Sequence, residues 1–154
     1  MKNKLSGNYR TWIAIAVPVF FLFAAGDLAL RSRGALLRAD EQALWRDNPG
    51  RKAAHYEALF RRQVSAIERD SAGGRLTKEQ SGRAAALASA ERDFFISESS
   101  AKLAFIWYRT AAKDFPSPFN PWAEKAKSKL PAALAAWRAE LAAKGVKAED
   151  WMLE

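Results

Sequence analysis

Residues 11–30, TWIAIAVPVFFLFAAGDLAL, form an apolar block broken by one charge, Asp27. Twenty residues at about 1.5 Å rise make a helix of about 30 Å, the thickness of a bilayer's hydrocarbon core. Backbone polar groups in lipid must pair within the segment, so the block predicts a transmembrane helix. Trp12 stands where an interfacial aromatic belongs, and Phe20 and Phe21 give the body of the anchor its bulk. Pro18 removes one ladder bond and predicts a kink. Asp27, near the far end, can reach headgroups and water. Lys2, Lys4 and Arg10, the apolar run 12–23 and Ala24-Ala25-Gly26 also match a cleavable signal peptide, which would release a periplasmic helical binding protein. The apolar stretch resumes with Leu28-Ala29-Leu30, which favours a retained anchor.

Beyond the anchor the pattern has a helical period throughout, with no alternating stretch that would mark a strand. A first rod extends from the anchor to about Arg46, with Gly34 as a weak point. Asn48-Pro49 then supplies a cap and a first-position proline for a helix over 49–71. Tyr56, Leu59, Phe60, Val64 and Ile67 give that helix its apolar stripe, and Gly73-Gly74 stops it. Thr77-Lys78-Glu79-Gln80 is a capping box by spacing and opens a helix expected to run unbroken to about Asp114. Leu87, Phe94, Ala101, Phe105, Tyr108 and Ala112 form its near-heptad core stripe, and the wide apolar arc around 94–108 suggests contact on two sides. Asn120-Pro121 repeats the cap-plus-proline start. The last helix carries Trp122, Ala126, Leu130, Leu134, Trp137 and Leu141, with a break or kink expected at Pro131 near Lys129. Gly145 is placed for a left-handed stop.

The pattern therefore predicts an all-α chain: a basic tail 1–10, a transmembrane helix 11–30, a juxtamembrane helix or linker 31–48, a helical domain 49–145 and a tail 146–154. A length of 154 residues suits one domain of this kind.

Charge changes the picture only in part. The net charge of +8 divides as +3 on residues 1–10, −1 in the anchor and +6 beyond it. Beside a bilayer, such a surface is most simply matched by anionic headgroups, at about 1 kcal/mol per basic residue near the surface. Arg31, Arg33, Arg38 and Arg46 are the candidates for contact with lipid or an acidic partner. The positive-inside count is nearly balanced on the two sides. A long C-terminal domain crosses regardless of charge while a short basic tail resists crossing, so the N-terminus is expected in the cytoplasm and the domain in the periplasm.

Candidate chemistry is sparse. The absence of cysteine excludes disulfides, thiolate nucleophiles, iron–sulfur clusters and attached haem. His55 is the only histidine and has no partner at a defined spacing, so neither a zinc set nor an acid–base pair is expected. Glu91 with Asp93, and Glu149 with Asp150, point to different sides of a helix. Ser97, Ser99 and Ser100 lack a base and its orienting group, and Gly73-Gly74 lacks a phosphate loop's strand and lysine. The lysines at 125, 127 and 129 scatter around a helix, so nucleic acid is not an expected partner. No enzyme activity, cofactor, metal or small-molecule substrate is expected. The aromatics are the stronger lead, since tryptophan and tyrosine dominate binding hot spots as well as cores. Phe119, Trp122, Trp137 and Trp151 are the candidates for protein contact.

Residues 104–130, AFIWYRTAAKDFPSPFNPWAEKAKSKL, resemble one helical hairpin of the tetratricopeptide-like repeats common in bacterial envelope proteins. Tyr108 precedes the aromatic-proline turn Phe115-Pro116 by seven residues, Ser117-Pro118-Phe119 follows, and Ala123, Ala126 and Leu130 complete the pattern. The resemblance implies a protein-binding scaffold, so the bundle is expected to contain a tetratricopeptide-like hairpin. The resulting expectation is an accessory or scaffold subunit of a bacterial inner-membrane complex, acting through protein contacts with other subunits and seated in the lipid bilayer. A basic helical module facing the cytoplasm and binding an acidic protein, lipid or nucleic acid is the alternative.

Overall fold

A computed structural model describes residues 4–115 and 120–147, and every regular element among them is a helix. In chain order these are α1 (Lys4–Asp47), α2 (Pro49–Ala72), α3 (Lys78–Ser97), α4 (Ser100–Lys113) and α5 (Pro121–Ala143). The fold is all-α. Residues up to Glu41, together with those from Ala101 onward, form one compact unit; Gln42–Ser100 form a second.

α1 has 44 residues, about 66 Å of helix at 1.5 Å per residue, twice the thickness of a hydrocarbon core. Its most apolar stretch has a mean hydropathy of 2.3 with none of it buried in the protein. Among the described residues, one helix is thus long and apolar enough to cross a membrane. That helix continues without interruption through Pro18 and Gly34, so the apolar block and the segment that follows it form one rod. Its character changes sharply along its length. Side chains are exposed from Thr11 to Phe23, whereas Ser32, Ala35, Leu36 and Ala39 are buried. That three- and four-residue spacing is one face of a helix. The same rod is apolar and exposed at one end and core-type at the other.

In the first unit, this face of α1 packs with α4 and α5. Ala101, Ala104, Phe105, Tyr108 and Ala111 of α4 are buried, as are Ala123, Ala126 and Ala133 of α5. Alanines at the contacts let the helix axes approach closely, and Phe105 stacked on Trp137 at 5.4 Å fills the wider space. Asn120 caps α5, its Oδ1 accepting from the Trp122 and Ala123 amides. Gly145, at φ +70°, follows the end of the helix, in the left-handed conformation that favours glycine.

In the second unit, α2 and α3 make an antiparallel pair. Thr77 forms the full capping box with Gln80. Gly74 takes φ +72° in the turn. Tyr56 stacks on Phe95 at 5.1 Å, and Trp45 meets His55 at 5.1 Å and Tyr56 at 5.5 Å. Arg92 crosses the pair, lying over Phe60 at 4.4 Å and reaching Glu57 at 3.5 Å.

Four expectations are corrected. The helix predicted from Thr77 to Asp114 is two helices, broken at Glu98, whose φ of −66° and ψ of 139° are extended. Ser97 Oγ donates to the Phe94 carbonyl, the local competition by which serine weakens a helix. The buried ammonium of Lys52 in turn donates to the freed Glu98 carbonyl. The stripe assigned to that single helix holds only in its second half: Ala101, Phe105 and Tyr108 are buried, but Leu87 is 70% and Phe94 59% exposed. α3 meets α2 through the face bearing Ala88 and Phe95, a quarter to half turn away. Pro131 does not break α5. It sits on the exposed side while Ala126 and Ala133 are buried to either side of it, so packing carries the helix across one missing bond. Asn48 precedes α2 but its side chain caps nothing there; Nδ2 donates instead to the Leu44 carbonyl at the end of α1.

Candidate functional site

Two places gather residues of interest, one in each unit. The first lies along α1 just beyond the apolar segment. Asp40 Oδ1 accepts from the Tyr108 hydroxyl at 2.6 Å and from Lys129 Nζ at 2.6 Å. One carboxylate thereby joins α1, α4 and α5. Partial burial works against its charge, but the hydrogen bonds from Lys129 and Tyr108 and the ammonium groups of Lys129 and Lys125 outweigh that. They hold the Asp40 carboxyl below the usual carboxylate range. Two residues before Asp40, the Arg38 guanidinium lies 4.7 Å above the Trp107 ring. Further down, Arg33 lies 5.4 Å from the Trp122 ring centroid, and Ser32 Oγ donates to the Ala111 carbonyl at 2.8 Å.

The juxtamembrane arginines singled out from the sequence each meet a group of this chain. Arg31 pairs with Asp27 at 2.7 Å, one helical turn back. Arg33 and Arg38 lie on tryptophans, and Arg46 pairs with Asp47 at 2.7 Å. Arg46 depresses the Asp47 carboxyl chiefly through that hydrogen bond. Trp122 is therefore brought together with Arg33, and Trp137 with Phe105. Of the anchor residues, Trp12, Phe20 and Phe21 project outward, Trp12 with 70% of its surface exposed. Phe119 and Trp151 lie outside the described residues, as do the Pro116–Phe119 turn of the tetratricopeptide-like pattern and most of the tail.

The sequence reading missed Asp40 and Lys129, because their contacts join positions 68 and 89 residues apart. A carboxylate on the otherwise apolar face Ser32–Ala35–Leu36–Ala39 was the available signal. Lys52 was also missed; a lysine on the apolar face of α2 could have marked it.

The second place is the outer face of α3. Leu87, Ala90 and Phe94 follow one another at i, i+3 and i+7, all exposed, with Arg83 and Glu91 beside them. On the other side of α3, an open groove of about 610 Å³ runs between α2 and α3, its walls including Val64, Ile67, Ala72 and Ala85. Among the described residues no group of three or more metal-ligating side chains converges. What these surfaces offer chemically is apolar contact with charged edges. No protein-family model matches the chain, and no curated protein or solved structure matches it either.

Proposed function

We propose that the chain is a single-pass, membrane-anchored accessory or scaffold subunit of a bacterial inner-membrane complex, acting through protein contacts rather than catalysis. Its N-terminus lies in the cytoplasm and its helical units in the periplasm. α1 supplies the anchor, and the helices it carries supply the docking surface.

The observation that carries the reading is the seam Leu87–Ala90–Phe94 on α3. A pair of helices has no third layer of its own, so apolar positions on its outer face stay in water until something covers them. The spacing is that of a helix-to-helix contact, with a small residue between two large ones and opposite charges alongside. Leu87 and Phe94 are 70% and 59% exposed, so covering the rest of them contributes about 2–4 kcal/mol of apolar transfer free energy. The occupant proposed is an amphipathic helix of another subunit in the same bilayer. Keeping both partners in one membrane raises their effective concentration, so a seam this short suffices.

The test is co-purification of the full-length protein from native membranes after mild crosslinking. Leu87→Glu with Phe94→Glu alters only exposed positions, so helix content and melting are expected to stay as in the parent. Recovery of membrane neighbours is expected to fall at least ten-fold, the loss of about 1.4 kcal/mol or more. Undiminished recovery of the same neighbours sinks the docking role of α3. A reporter fused after Lys147 reads the orientation, and cytoplasmic activity of that reporter overturns the periplasmic placement.

A further inference from the structure

The first unit carries a feature that docking through α3 does not use, namely the end at which α4 stops and α5 begins. Ser32 and Arg33 follow the apolar segment by two and three residues, about 3–5 Å along the helix axis beyond Leu30. Ser32 holds the last turns of α4 through the Ala111 carbonyl. Arg33 holds the first turn of α5 through the Trp122 ring. The α4–α5 end is therefore fixed at the level where α1 leaves the hydrocarbon. Side chains on α1 are exposed through Phe23, and Ala24, Ala25, Leu28 and Ala29 are half-buried. The Asp27–Arg31 pair immediately precedes Ser32 on α1, as a charged pair at the headgroup boundary would.

The residues at this end suit that depth. Trp122 is half-buried with its ring beneath a guanidinium, and Phe115 at the close of α4 is half-buried. Lys113 and Lys125 are exposed beside them. Tryptophan favours the zone between acyl chains and water, and basic side chains there meet lipid phosphates. We infer that the α4–α5 end is a second membrane contact. Trp122 and Phe115 sit in the headgroup zone of the bilayer that α1 crosses, and Arg33 and Lys113 face lipid phosphates. Continuity with the lipid-facing surface of α1 selects a bilayer as the occupant. The contact would stand this unit on the membrane in one orientation. The inference rests on residues 11–30 spanning the bilayer, and its test separates the two.

The chain has no cysteine, so a single introduced thiol carries a unique spin label. Labels at Pro121→Cys and Glu124→Cys report the α5 start. Ala135→Cys, exposed and about 20 Å further along α5, reports water, and Phe20→Cys reports the middle of the anchor. The full chain is reconstituted into phosphatidylethanolamine–phosphatidylglycerol vesicles. Relaxation by oxygen, which concentrates in lipid, is compared with relaxation by a water-soluble nickel chelate. The expected oxygen-to-nickel ratio at 121 and 124 is several-fold above that at 135 and below that at 20. Ratios at 121 and 124 equal to that at 135, with position 20 in hydrocarbon, overturn the second contact while leaving the anchor standing. A water-like ratio at position 20 overturns the anchor and the inference together.

Discussion

Asp40→Ala tests how the first unit is held together. The substitution removes one acceptor that serves two donors on two other helices. The two losses are unequal. Tyr108 is only 4% exposed, and a hydrogen bond from such a hydroxyl to a charged group contributes about 1.5–3 kcal/mol. The Lys129 and Asp40 side chains are 37% and 35% exposed, so solvent screens their ion pair to about 0–1 kcal/mol. The expected cost is about 2–3 kcal/mol, most of it from Tyr108. For a chain of this length that lowers the melting temperature by roughly 5–10 °C. The assay is thermal unfolding of the full chain in detergent micelles, followed by circular dichroism, with Tyr108→Phe and Lys129→Met as partners in double-mutant cycles. The Asp40–Tyr108 coupling is expected to exceed the Asp40–Lys129 coupling. A loss below about 0.5 kcal/mol, within the range of an ordinary surface change, would refute the reasoning. So would a larger coupling to Lys129 than to Tyr108, because burial would then not be deciding which bond matters.

Two further predictions concern the same unit. The folded-state Asp40 carboxyl lies below its unfolded value, so the unfolded chain binds more protons in acid. Its contribution is complete above the ordinary carboxylate range and is lost as pH falls through the folded value. The stability gap between the parent and Asp40→Asn is therefore expected to shrink from pH 6 to pH 3, and a gap that widens in acid contradicts the assignment. Pro131 lies exposed inside a continuous α5, where proline costs up to about 3 kcal/mol relative to alanine. Pro131→Ala is expected to stabilise the chain by about 1–3 kcal/mol in the same melt, and destabilisation would show that the proline ring makes contacts of its own.

Features that depend on neighbours along the chain were legible without a fold. The apolar block 11–30, the Thr77–Gln80 capping box, the Asn120 cap and the stop at Gly145 are each encoded within a few residues. Hydrogen-bond geometry and transfer free energy act over that range. The break at Glu98 was partly legible, since Ser97, Ser99 and Ser100 are weak helix formers. Apolar residues on either side masked it by continuing the helical period. Asn48 was misread because the same side chain can serve the helix behind it or the one ahead, and sequence spacing does not choose between them.

Tertiary structure alone decided which apolar positions are covered. Phe94 and Phe95 are adjacent and chemically identical, yet Phe95 stacks on Tyr56 while Phe94 faces outward. The azimuth at which α3 meets α2 selects between them, and that angle is set by the packing of both helices. The juxtamembrane arginines show the same division. The sequence made them basic and placed them beyond the apolar block, but only the folded chain brings Trp107 under Arg38 and Trp122 under Arg33. Asp40 is the clearest case. Its partners on α4 and α5 are distant in sequence, and no local rule ties a carboxylate to a donor that arrives only when three helices pack.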